Sequence, residues 1–218
     1  MRPHNTLFSR TGYKRKSSLT KLEERYSSNI ERLRMVVRDI LREAISLQDY
    51  EDTLATARLV HLGQKRRSGE AYFDHPVAVE NIVKNYYPSD LSSQLLALLH
   101  DTVEDRHKQN NLSQEELFSM IRAGIHDREK RNEIMISLKL LTHDKSIPYN
   151  EYLLTVAQNT LALRVKISDM IHNSSSSPSV NQIEKYRRGF SALESFFGGT
   201  PPNISISHWN ELKKVLGE

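Results

Sequence analysis

Leu95-Leu96-Ala97-Leu98-Leu99-His100-Asp101-Thr102-Val103-Glu104-Asp105 is the stretch that decides the fold. At about 100° of turn per residue, His100, Asp101, Glu104 and Asp105 fall within an arc of roughly 140°. Leu95, Leu96, Leu98, Leu99 and Val103 fill the rest of the circumference, and only the small Ala97 shares the polar side. A helix that is apolar nearly all round is a buried helix. Its polar stripe then carries three carboxylates inward, and buried charges are paired or coordinate metals. A solvated helix end is the alternative that this stretch alone leaves open.

The segments around it also read as helices. Residues 20–48 contain neither Gly nor Pro, and Ile30, Leu33, Val37, Ile40, Leu41 and Ile45 recur at helical spacing. A second helix over 52–62 stops at Gly63, where a left-handed residue is cheap. Pro76 suits a first helical position and puts His75 at the N-cap. The organising helix runs from Pro88 to Asp105. Ser113 with Glu116 forms a capping box for a helix to about Ala123, and further helices cover 127–141, 149–158, 180–197 and 209–216. Residues 159–173 are ambiguous: Leu161, Leu163, Val165 and Ile167 alternate as in a strand, whereas Leu163, Ile167, Met170 and Ile171 fit a helix. Asn159 is a good N-cap and the neighbours are helical, so helix is the reading. The expectation is an all-α bundle of roughly nine or ten helices in one domain over 20–218.

The chain has 218 residues, no cysteine and a net charge of +4. Disulfides, thiolate chemistry and sulfur-built zinc sites are excluded. No apolar run approaches the ~20 residues of a membrane span, and the start lacks the apolar core of a secretory signal. A cytoplasmic protein is expected. Arg2, Arg10, Lys14, Arg15 and Lys16 stand among the first 20 residues with no acid, so the basic balance belongs to a tail over 1–19. Such a tail is read as solvated and unordered; contact with an acidic partner and an organelle presequence are the alternatives. Nucleic acid is not expected as a partner beyond this tail, and nothing in the sequence specifies an oligomeric state.

His75, His100, Asp101 and Asp169, in Lys166-Ile167-Ser168-Asp169-Met170-Ile171-His172-Asn173, make a mixed nitrogen and oxygen donor set. Such donors suit Mn²⁺, Fe²⁺ or Zn²⁺. Glu104 and Asp105 lie one turn beyond His100-Asp101, placed to act on a water beside the ion, and the implied class is metal-assisted hydrolysis.

With the spacing His-Asp-x-x-Glu-Asp, these residues resemble the HD-domain metal-dependent phosphohydrolases. More narrowly, Gly63 through Glu70 with His75-Pro76, Ala97 through Asp105, and Val165 through Asp169 with His172-Asn173 resemble the hydrolase domain of RelA/SpoT proteins. The three motifs stand in the family's order and span about residues 50–195. The resemblance implies hydrolysis of the alarmones ppGpp and pppGpp at the 3′-pyrophosphate, giving GDP or GTP and pyrophosphate. It assigns His75, His100, Asp101 and Asp169 to one ion, usually Mn²⁺, and Glu104 and Asp105 to the attacking water. Arg66, Arg67 and Ser68 match the loop that holds base and sugar phosphates, Asn173 a position near the ribose, and Tyr186 an aromatic on the nucleoside side. Lys145 is a phosphate candidate from its loop, and His172 reads as a packed neighbour.

Full-length relatives carry a synthetase domain after the hydrolase, and the chain is expected to be a stand-alone hydrolase. Resetting a stringent response and neutralising a toxic alarmone synthetase are equally compatible roles. Two departures stand out. The family's Arg-Thr after the Asn is replaced by Ser175 and Ser176, and the Pro after Ser-Gly-Glu by Ala71. An adenosine alarmone or NADPH therefore stays open as substrate, as does a module that binds nucleotide or a partner without turnover.

Overall fold

The computed structural model describes residues 18–104 and 112–218, which leaves residues 1–17 of the basic tail, and Asp105, outside the described residues. Nine helices, and no strand, occur among the described residues: α1 (Ser18–Val60), α2 (Asp74–Tyr86), α3 (Leu91–Leu99), α4 (Gln114–Ala123), α5 (Arg128–Leu141), α6 (Tyr149–Val156), α7 (Thr160–Ser175), α8 (Val180–Phe197) and α9 (Ile206–Leu216). The all-α expectation holds. No helix among the described residues is long and apolar enough to cross a membrane.

The chain divides into two units, residues 1–44 and 45–218. The first is described from Ser18 as the N-terminal part of α1, where Arg34 and Glu31 pair one turn apart at 2.6 Å. Where the sequence suggested two helices over 20–62, α1 is continuous to Val60. Nothing over 48–52 breaks a helix, and Asp49 is instead buried and used at a distance. Its carboxylate accepts from the backbone N–H of His126 and Asp127, ordering the entry to α5.

In the second unit α3 is the central element, with every residue from Ser92 to Leu99 buried. Asp90 caps it by accepting from Ser93 N–H at 3.0 Å and pairs with Arg164 of α7 at 2.6 Å. Leu95, Leu96, Ala97 and Leu99 meet Val79 and Val83 of α2, Ile134 and Leu138 of α5, and Val165 of α7. A second apolar cluster joins Leu163, Ile167 and Met170 of α7 to Phe190 of α8 and Trp209 of α9. Because α7 feeds both clusters from different faces, it is apolar nearly all round. That is why its sequence alternates like a strand while its backbone is helical, with Asn159 accepting from Ala162 N–H as its cap. The capping box at Ser113 and Glu116 is formed as read.

Two of the boundaries that differ from the sequence reading concern the site. α3 ends at Leu99, not Asp105: Thr102 turns back, its N–H and hydroxyl both donating to Leu99 O (3.0 and 2.6 Å), so residues 100–104 form turns. α2 begins at Asp74, so His75 lies inside its first turn rather than at the cap. The preceding turn extends the helix backwards, with Asp74 N–H donating to Ala71 O and His75 N–H to Tyr72 O.

Candidate metal centre

Three elements deliver four side chains to one point: α2 brings His75, the turn after α3 brings His100 and Asp101, and α7 brings Asp169. His75 Nε2 lies 3.2 Å from Asp101 Oδ2 and 3.3 Å from Asp169 Oδ1. His100 Nε2 lies 3.2 Å from Asp101 Oδ1, 3.7 Å from Asp169 Oδ1 and 3.2 Å from His75 Nε2. His75, His100 and Asp169 are only 3–4 % exposed, so the solvation these groups lose must be replaced from within the protein.

Further side chains fix this group. Tyr72 donates its hydroxyl to Asp101 Oδ2 at 2.8 Å, and Lys166 donates its ammonium to Asp169 Oδ2 at 2.8 Å. Burial pushes both carboxyls up, but the His100 imidazole beside Asp101 and the Lys166 ammonium beside Asp169 hold them well below the usual carboxylate range. Burial likewise pulls His75 and His100 down, yet the two carboxylates outweigh it and raise both rings, His100 to about 10.

The donor set fits a divalent cation. His100 Nδ1 faces the Ala97 carbonyl at 2.7 Å; a carbonyl only accepts, so the proton is on Nδ1 and a neutral ring turns its Nε2 lone pair to the carboxylates. Ligand atoms of His75, His100 and Asp101 all lie within 4.8 Å of one another. In the absence of an ion, protons on the imidazoles provide the positive charge that the carboxylates demand; a metal ion would replace them.

His75, Asp101 and Asp169 line a cavity of about 810 Å³, within the range of small-molecule sites. Glu104 lies in the same cavity. Lys65, Arg66, Arg67, Lys166 and Lys185 bring cations to its wall. The loop carrying Arg66 and Arg67 is tight: Arg66 N–H donates to Glu70 O and Gly69 N–H to Arg66 O, both at 2.9 Å. Gly69 closes it at φ +94°, a conformation that side chains disfavour.

The other residues singled out from sequence are placed as follows. Arg67 and Ser68 are exposed on the rim, while Arg66 is half-buried. Asn173 and Tyr186 both line the cavity, Asn173 Nδ2 reaching the Tyr186 hydroxyl at 3.4 Å. Lys145 is exposed on the loop between α5 and α6 and does not line the cavity. The same loop touches the site through His143, whose N–H donates to Glu104 Oε2 at 3.4 Å.

Tyr72, Lys166, His172 and Lys185 are participants that the sequence reading missed. Lys166 stands three residues before Asp169 on α7, one turn away, a spacing that could have flagged it; Tyr72 reaches Asp101 across 29 residues, and no local spacing points to it. Lys185 carries no such signal. Its ammonium sits over the Tyr149 and Tyr186 rings (4.7 and 4.8 Å), and burial together with Lys166 lowers its pKa. His172 is more than a packed neighbour: its Nδ1 lies 2.8 Å from His75 Nδ1 and 3.2 Å from Arg66 Nη1.

No protein-family model matches the chain. Curated relatives do. A putative GTP diphosphokinase RSH1, chloroplastic, of Arabidopsis thaliana is 32 % identical over 133 residues, 58 % of this chain and 15 % of that protein. A guanosine-3′,5′-bis(diphosphate) 3′-pyrophosphohydrolase of Haemophilus influenzae is 28 % identical over 142 residues, 64 % of this chain and 20 % of that protein. A GTP pyrophosphokinase rsh of Brucella melitensis is 31 % identical over 117 residues, 52 % of this chain and 15 % of that protein. The chain thus spans a fifth or less of the length of these relatives. Over 52–64 % of its length this chain is thus similar to RelA/SpoT-type proteins, and the motif residues gathered around one cavity agree with that likeness.

Proposed function

We propose that this domain hydrolyses a guanosine alarmone, ppGpp or pppGpp, at its 3′-pyrophosphate, giving GDP or GTP and pyrophosphate. One observation carries the reading: a single cavity is lined both by the carboxylates of Asp101, Glu104 and Asp169 and by the cations of Lys65, Arg67 and Lys185. His75, His100, Asp101 and Asp169 would hold one divalent ion, Mn²⁺ first, with Fe²⁺ or Zn²⁺ compatible with the same donors. Such an ion, when bound, supplies Lewis acidity toward a phosphoryl oxygen and lowers the pKa of a water molecule. Glu104 accepts the proton of the attacking water, and Asp105, the next residue in the chain, shares that work. The bond that breaks joins the ribose 3′ oxygen to the nearer phosphorus, and the oxygen leaves with a proton. Arg67, Lys65 and Lys185 neutralise the phosphates as point charges and forks. Arg66, Ser68, Asn173 and Tyr186 hold the nucleoside end.

Incubating the full chain with ppGpp and Mn²⁺ tests this. Pyrophosphate release is expected from the wild type and its abolition in Asp101→Asn; a silent wild type, or equal rates, would overturn the reading. Resetting a stringent response and neutralising a toxic alarmone synthetase are both served by this one reaction.

A second reading rests on Ser175 to Ser179. Residues 175–179 include no cation, and Ser175 turns its hydroxyl back to Ile171 O at 2.9 Å. A ppApp-type alarmone or NADPH would then be the better substrate. A panel of ppGpp, ppApp and NADPH ranks them by kcat/KM, and binding without turnover of any would identify a sequestering module instead.

A further inference from the structure

Building on the metal-centre reading above, we infer that Arg66 is a positioning residue that acts through His172 and Asn173 to set the hydrogen-bond polarity of His75 and Asp169. Arg66 Nη1 donates to His172 Nδ1 at 3.2 Å, and Nη2 donates to Asn173 Oδ1 at 2.8 Å. A guanidinium can only donate, and both downstream assignments follow from that.

The first arm runs through His172. Its Nδ1 is a bare acceptor, so its ring proton sits on Nε2, the atom facing Ser176 Oγ at 3.4 Å. The same Nδ1 lies 2.8 Å from His75 Nδ1, and the hydrogen between the two rings therefore belongs to His75. A neutral His75 protonated at Nδ1 has its lone pair on Nε2, the atom that faces Asp101 and Asp169. The second arm runs through Asn173. With its oxygen engaged by Arg66, its amide nitrogen turns to donate to Asp169 Oδ1. A reversed amide would set an oxygen against that carboxylate. One fork thus orients a ligand from α2 and a ligand from α7 without touching either.

The fork belongs to the Gly69-closed loop that also forms the cavity rim. The loop read as holding the nucleotide is therefore connected, through His172 and Asn173, to the groups read as holding the ion. Metal affinity depends on Arg66 and His172, although neither lies in the donor set.

The test is Mn²⁺ titration by calorimetry of the full chain and of His172→Leu, His172→Gln and Arg66→Met, with helicity checked by circular dichroism. His172→Leu and Arg66→Met are expected to weaken Mn²⁺ binding about tenfold or more, the size usual for a group that orients a metal ligand. His172→Gln, whose side-chain oxygen accepts from both neighbours, is expected to stay within about threefold of wild type. A second readout needs no variant: long-range ¹H–¹⁵N spectra of the Zn²⁺-loaded wild type should place the His75 proton on Nδ1. If His172→Leu fails to fold, Arg66→Met and the spectra decide. Leucine and glutamine variants that bind equally, whether as wild type or weakly, overturn the inference, as does a His75 proton on Nε2. A wild type that takes up no Mn²⁺ removes the metal-centre reading itself, an outcome distinct from any of these.

Discussion

Tyr72 sits on a residue-scale contact that separates orientation from packing. Its hydroxyl donates to Asp101 at 2.8 Å while its ring stacks on His61 (centroids 4.7 Å apart, planes at 21°). Tyr72→Phe keeps the stack and removes the hydroxyl that donates to Asp101. Mn²⁺ affinity is expected to fall about tenfold, with unfolding free energy changed by about 1 kcal/mol or less. Calorimetric titration and urea denaturation measure the two, and a Phe variant that binds as tightly as wild type would show Asp101 to be oriented by His75 and His100 alone. At this scale the sequence was most informative where chemistry is concentrated in motifs. His75, His100, Asp101 and Asp169 stand out in the sequence by residue type and motif; ligand atoms of the first three lie within 4.8 Å of one another, and Asp169 Oδ1 lies 3.3 Å from His75 Nε2. Their supporting groups were harder to find because each acts through a contact that crosses elements. Arg66 and His172 are 106 residues apart, and no local spacing couples them. Lys145 shows the converse, a cation in a suggestive loop whose loop touches the site through a different residue.

Single elements carry their own signals, and α7 shows how one can mislead. Its alternating apolar residues satisfy two cores at once, so periodicity alone could not separate strand from helix. The deciding feature was Asn159, which accepts from Ala162 N–H at 2.9 Å and also receives the Ser137 hydroxyl at 3.1 Å. Asn159→Ala removes both and is expected to cost about 1–2 kcal/mol in urea denaturation. The ends of α2 and α3 were misread for a related reason: a helix boundary is set by where the next turn's hydrogen bonds go, which Thr102 and the 71–75 turn decide locally. Where α8 crosses α6, Gly189 allows the approach, since a Cβ there would lie 2.8 Å from Leu153 Cδ2 and 2.9 Å from Tyr149 Cε1. Leu153 is wholly buried and cannot step aside. Gly189→Ala gains helix propensity of about 1 kcal/mol but meets overpacking of about 1–3 kcal/mol, so a net destabilisation of about 1 kcal/mol is expected. A more stable variant would show that Tyr149 and Leu153 repack freely.

Across the whole second unit, His208 ties together segments far apart in sequence. It is buried completely, stacked on Tyr86 of α2 at 4.5 Å, with Nε2 3.0 Å from Ser168 Oγ of α7 and Nδ1 3.2 Å from the Tyr87 hydroxyl. Ser168 spends its own proton on Arg164 O, so His208 Nε2 donates and Nδ1 accepts: a neutral ring is fully satisfied. Burial and the nearby Arg164 guanidinium push its pKa down to about 3. Unfolded, the ring titrates near its ordinary value of about 6.5. Between these values the unfolded chain binds the extra proton, so stability from this group rises with pH there and is lost as pH falls. His100 works in the opposite sense. Its folded pKa is raised to about 10, so its contribution is full below about 6.5 and declines as pH climbs toward 10. The two windows meet near pH 6.5, so a pH–stability curve of wild type alone mixes them there with every other titrating group. The difference between wild type and His208→Gln isolates one, since His100 is common to both. On going from about pH 7.5 to about pH 5.5, that difference should shift by about 1.3 kcal/mol in favour of the variant. Urea denaturation of both proteins in metal-free buffer measures it. Curves that stay parallel across this interval would mean that His208 takes up its proton as readily inside the fold as outside it.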